Sequence, residues 1–129
     1  MLERLFRRFR APIGPAWVEV DDLRRRLRRG ELALVLDVRE PDEFDGPLGH
    51  IPGALNVPLA SLPARIADFT RVGCPIVTVC LTDKRSSQAA AELVESGVPD
   101  VAVLRGGMRA WRANEPATLG EGATSGGAP

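Results

Sequence analysis

Two short runs, Leu32–Val38 and Pro75–Cys80, are built almost entirely from apolar and β-branched residues. A strand with one wet face alternates apolar and polar side chains, so an unbroken apolar run suits a strand buried on both faces of a parallel sheet. Segments with helical signals surround these runs. Asp21 or Asp22 is placed to cap a helix with Leu23 and Leu27 one turn apart and Gly30 as its stop. Ser61 is placed to open another through about Phe69, with Pro63 in its first turn. Arg85–Ser96 reads as a third, with Leu93 and Val94 inward and Gly97 at its end. Trp17–Val20 and Val101–Leu104 read as strands and Ala54–Val57 as a short one. Pro41 opens a helical turn ending near Phe44, and "RGGMRAW" leads into a short last helix. This alternation predicts an α/β domain over residues 16–116 with a mostly parallel sheet. Ligands of such sheets gather beyond the carboxyl ends of the strands. Asp37–Glu40, where charge returns abruptly, and Cys80–Ser86 both lie at such ends.

Composition narrows the classes of function. Basic and acidic residues balance at 17 each among 129, which removes the electrostatic case for nucleic-acid binding. Two cysteines, Cys74 and Cys80, are too few for a disulfide scaffold. No apolar run approaches the roughly 20 residues of a membrane span, and the start of the chain lacks the apolar core of a secretory signal. A reducing cytoplasm is the expected setting. Residues 1–15 form a basic segment in which Leu2, Leu5, Phe6 and Phe9 fall at helical spacing among arginines. A short helix docked on its own domain or a frayed terminus is favoured there over membrane or partner contact through residues 1–12. Residues 117–129 are small and polar and are expected to be disordered.

Cys80 is the residue with chemistry to explain. Only a thiolate is a strong nucleophile, and a free thiol is mostly protonated at neutral pH. A strand-to-helix loop turns several backbone N–H groups toward one point, and the helix dipole adds positive potential. Lys84 and Arg85 add full charges, and Ser86 is placed to cap the helix or to donate to an anion. Leu81, Thr82, Asp83, Lys84, Arg85 and Ser86 together read as an anion-binding loop around a thiolate, a persulfide or a bound oxyanion. The plainer reading, a buried structural cysteine, fits Cys74, which precedes Pro75 without such surroundings. No Cys, His, Asp and Glu set has metal-ligand spacing, no nucleotide motif is present, and no cofactor is expected.

Four residues separate Cys80 from Arg85, where cysteine-dependent phosphatases have five. The loop resembles that of the rhodanese family: Cys, two variable residues, Gly, one variable residue, Arg, Ser or Thr. "LDVREPDEFDGPLGHIPGALNVPL" (Leu36–Leu59) and "VLRGGMRAW" (Val103–Trp111) resemble the family's upstream and closing motifs. The resemblance covers about residues 17–114. It implies a five-stranded, mostly parallel sheet with helices on both faces. It also implies a thiosulfate sulfurtransferase that passes sulfane sulfur through a persulfide on Cys80 to a thiol or cyanide acceptor. The alternative is a rhodanese-like binding or sulfur-carrier module with little turnover. Lys84 and Arg85 tilt the donor toward thiosulfate.

The same resemblance assigns supporting roles to Asp37 and Arg39. Asp37 is expected to bond loop amides or pair with Arg85, and Arg39 to face the substrate. His50, Gly106 and Gly107 are expected to serve turns, with a Cys–His dyad as the minority reading of His50. Asp83 departs from the family by replacing the loop glycine. It is expected to tolerate a left-handed conformation and to lower the positive potential, so that Asp83→Gly would raise the rate.

Overall fold

The computed structural model describes residues 14–116. Most of the basic N-terminal segment (through Ile13) and the polar tail from Ala117 lie outside the described residues. Five strands, β1 (Ala16–Val18), β2 (Leu34–Asp37), β3 (Leu55–Asn56), β4 (Ile76–Val79) and β5 (Val101–Leu104), form one sheet in the order β1-β5-β4-β2-β3. Every pairing is parallel. The helices are α1 (Val20–Arg28), α2 (Pro41–Phe44), α3 (Leu62–Phe69), α4 (Lys84–Glu95) and α5 (Gly107–Ala113), with a 3-10 turn at Leu59–Ser61. None of the described helices is long and apolar enough to cross a membrane.

Strand parity divides the core into two layers. In β4, Ile76 joins Leu36, Phe69, Leu93 and Val103 on the side of α3 and α4. Val77 and Val79 join Leu23, Leu104, Met108 and Trp111 on the side of α1 and α5. All four residues of β4 are buried, as its unbroken apolar pattern requires. Cys80 shares the parity of Ile76 and faces the layer that holds α4.

Several boundaries differ from the sequence reading, each for a local reason. Val20 opens α1 instead of ending β1, because Glu19 takes the extended N-cap conformation. Asp21 and Asp22 then fall in the first turn, where Asp22 pairs with Arg25 and Arg26. Ser61 sits at the N-cap of α3 without a side-chain capping bond, since the 3-10 turn already leads into the helix. The outer residues of the apolar runs lie beyond the paired strands; Leu32 is exposed. Val94 lies at the margin of α4, 37% exposed, while Leu93 alone of the pair is buried.

β2 and β4 are neighbours, yet the chain leaves β2 toward β3 and leaves β4 toward β5, in opposite directions across the sheet. A crevice opens at such a switch point, beyond the carboxyl ends of the two strands. The segments following Asp37 and Val79 flank it.

Candidate active site

The loop from Cys80 to Ser86 owes its shape to α5. The amides of Met108 and Arg109 donate to the carbonyls of Cys80 (2.9 Å) and Leu81 (3.1 Å). These carbonyls therefore face α5, and the planar peptide units turn their N–H groups to the opposite side. Gly107 makes the approach possible. A Cβ there would collide with the carbonyl oxygens of Cys80 and Thr82, and its φ of +56° already favours glycine. Gly106 and Gly107 are thus more than turn residues, because the loop rests directly on them.

On the far side of the loop, Cys80 Sγ accepts the Ser86 N–H at 3.3 Å and lies 3.2 Å from Ser86 Oγ. Ser86 Oγ is also 3.2 Å from the Asp83 carbonyl, and Thr78 Oγ holds the Ser86 carbonyl at 2.9 Å. Cys80 and Ser86 are both buried. Among the described residues, no acceptor engages the backbone amides of Leu81, Thr82, Asp83, Lys84 or Arg85. A helix start leaves its first amides unpaired by geometry. Here the amides of Lys84 and Arg85 are in that position, in the loop that joins Cys80 to Ser86.

The charges nearby are arranged differently from the sequence reading. Asp37 neither bonds the loop amides nor pairs with Arg85. Its carboxylate is taken by Arg39, with Nε to Oδ1 at 2.9 Å and NH2 to Oδ2 at 2.7 Å. Arg39 also donates to the carbonyls of Glu43 (3.1 Å) and Gly49 (2.8 Å). It is 1% exposed, with its guanidinium turned onto Asp37 and the carbonyls of Glu43 and Gly49, and so staples the segment after β2 onto the sheet. Asn56 Nδ2 adds bonds to the carbonyls of Asp37 and Arg39.

Glu43 is the partner of Arg85, and sequence reasoning had not singled it out. The two form a forked pair, NH1 to Oε1 at 2.7 Å and NH2 to Oε2 at 3.0 Å. Glu43 Oε1 also accepts the Glu40 N–H in the capping box of α2. The hydrogen bond from Arg85 lowers the Glu43 carboxyl to about 2, and the same bond raises Arg85. Half of the positive charge that favoured an anionic donor is therefore matched. Among the described residues, Lys84 is the one loop cation without an ion pair. The only signal for Glu43 in the sequence was its place in "DVREPDEF", three residues after the N-cap of α2.

Asp83 also departs from expectation. Its φ is −130°, so the position does not demand glycine. Its carboxylate accepts the Gly106 N–H at 2.8 Å. His50 donates from Nδ1 to the Phe44 carbonyl at 2.9 Å and stacks on the Phe44 ring, which is the turn role expected of it. Cys74, partly buried, precedes β4 at the opposite end of that strand from Cys80.

The rhodanese-like domain model matches residues 19–114. Thiosulfate sulfurtransferase GlpE of Pseudomonas putida is 39% identical over 99 residues, covering 74% of this chain and 84% of that protein. An uncharacterized Bacillus subtilis protein, YqhL, is 40% identical over 79 residues, covering 61% of this chain and 60% of its own length. The Alr3790 protein of Anabaena has a similar crystal structure, with a TM-score of 0.68 and 32% identity over 77% of each chain. A parallel five-stranded sheet, a thiol at the carboxyl end of its central strand and a match across three quarters of the length agree on one assignment: the chain belongs to the rhodanese-like domain family.

Proposed function

We propose that the protein is a sulfurtransferase that takes the outer sulfur of thiosulfate onto Cys80 and passes it to a thiophilic acceptor. The observation that carries this reading is the position of Cys80 Sγ at the start of α4. There it accepts the Ser86 amide, and among the described residues the amides of Leu81–Arg85 in the same loop have no acceptor. A thiolate at such a point is stabilised by fixed dipoles that need no rearrangement during the reaction. The name of the Pseudomonas relative supports the class of donor.

In the first step the Cys80 thiolate attacks the outer sulfur of thiosulfate. A new S–S bond forms, the old one breaks, and sulfite leaves with its electron pair. The terminal sulfur then lies about 2 Å beyond Sγ, toward the amides of Leu81–Arg85, which bear its negative charge. In the second step an acceptor nucleophile, cyanide or a thiolate, attacks that terminal sulfur. The bond to Sγ breaks and the thiolate returns. No electrons are gained or lost overall. Ser86 Oγ accepts from the neutral thiol, and by rotating its hydrogen it donates to the thiolate.

The alternative chemistry of this loop type, phosphoryl transfer, is disfavoured. Phosphate recognition needs a free guanidinium fork, and the fork of Arg85 is occupied by Glu43. Thiosulfate-dependent formation of thiocyanate from cyanide tests the proposal. The protein should turn over, Cys80→Ser should not, and aryl phosphates should remain intact. A protein inert with thiosulfate but active on aryl phosphates would overturn it.

A further inference from the structure

Asp83 occupies the N-cap of α4, where an aspartate ordinarily accepts amides of its own helix. It makes no such bond. The third amide of the helix, that of Ser86, goes instead to Cys80 Sγ. The thiol thus sits where a capping oxygen would sit, and the Asp83 carboxylate is held away by the Gly106 N–H at 2.8 Å. Gly106 is in the left-handed conformation (φ 81°) and is itself the N-cap of α5, whose next amides hold the Cys80 and Leu81 carbonyls.

We propose that Asp83 is a positioning residue for sulfur transfer, acting as a strut between the Cys80 loop and the Gly106 turn; this rests on the sulfurtransferase reading above. The strut has two effects. It closes a third link between the loop and α5, next to the two formed by Met108 and Arg109, so the loop amides are held at fixed angles. It also keeps a carboxylate oxygen away from the Ser86 amide, the one donor that Sγ already uses. A glycine at this position has no oxygen to accept the Gly106 N–H, so the third link is lost and replacing Asp83 by glycine slows the reaction instead of speeding it.

The test compares Asp83→Asn with Asp83→Ala, and adds Asp83→Gly. Asn and Ala both remove the charge, but only Asn keeps an oxygen able to accept the Gly106 N–H. In Ala and Gly the Gly106 amide should exchange its hydrogen at least 10-fold faster, while Asn stays near the parent. With thiosulfate, kcat should fall about 10-fold in Ala and Gly relative to Asn, with KM moving less than about 3-fold, as expected when orientation and not binding is lost. Alkylation of Cys80 by iodoacetamide should slow in Ala and Gly but not in Asn. Equal kcat and equal alkylation rates in Asn and Ala would overturn the proposal, as would a faster Gly variant. If the parent protein transfers no sulfur, the functional reading fails by itself, while amide exchange and alkylation still decide whether the strut positions the thiol.

Discussion

Two segments leave the sheet side by side, one after β2 and one after β4, and they treat polar groups in opposite ways. After β2, Asp37, Arg39 and Asn56 are tied together by hydrogen bonds, and Arg39 is buried with each of its three guanidinium nitrogens bonded. After β4, five amides of the Cys80 loop have no acceptor among the described residues. A saturated network confers rigidity but has nothing left to offer a ligand. A loop with unmatched donors can stabilise an incoming anion, provided something else holds it open. Glu43 joins the two. Its backbone is held by Arg39, and its side chain holds Arg85. The charges after β2 are thereby linked to the Cys80 loop through Glu43 and Arg85.

This contrast can be broken first at the saturated side. Arg39→Leu leaves the Asp37 carboxylate buried without its partner and should cost about 3–5 kcal/mol, read by urea unfolding. The loss should show as stability before it shows as chemistry. If Arg39→Leu stays folded with unchanged stability but a raised KM for thiosulfate, Arg39 faces substrate after all. Next is Gly107→Ala, which puts a methyl group into the carbonyls of the loop and a side chain at positive φ. It should cost about 2 kcal/mol or more and slow sulfur transfer at least 10-fold.

Much of this was legible in the sequence where the signal is local. Pro41 marks the start of α2, whose end was read near Phe44, and Val101–Leu104, a strand bounded by charge, was read to the residue. Cys80 stood out because a strand, a thiol and a helix start are contiguous. The pairing of Asp37 with Arg39 was missed because their proximity in the chain hides their burial, to which the Gly49 carbonyl and Asn56 contribute. Arg85 with Glu43 and Asp83 with Gly106 are separated by 42 and 23 residues. No periodicity or composition reports such contacts; only the folding of β2, β4 and β5 into one sheet brings them together.

Smaller effects sharpen the link between the two segments. Glu43→Gln keeps the shape of the side chain but removes the charge opposite Arg85. It should cost roughly 1 kcal/mol, since the pair is only half-buried, and slow turnover several-fold. Glu43 is depressed to about 2 in the fold, against 4.5 for an ordinary glutamate. Its contribution is complete above pH 4.5 and fades as pH falls toward 2. The parent should thus lose more stability over that window than Glu43→Gln does, and parallel curves would break the assignment. Cys74→Ser should be the mildest change, within about 1 kcal/mol and with turnover retained.

The most direct test is the intact mass of the protein after exposure to thiosulfate. The account predicts a gain of one sulfur atom that maps to Cys80, is removed by cyanide, persists in Cys74→Ser and is absent in Cys80→Ser. A sulfur adduct on Cys74, or a cycle that needs both cysteines, would contradict it.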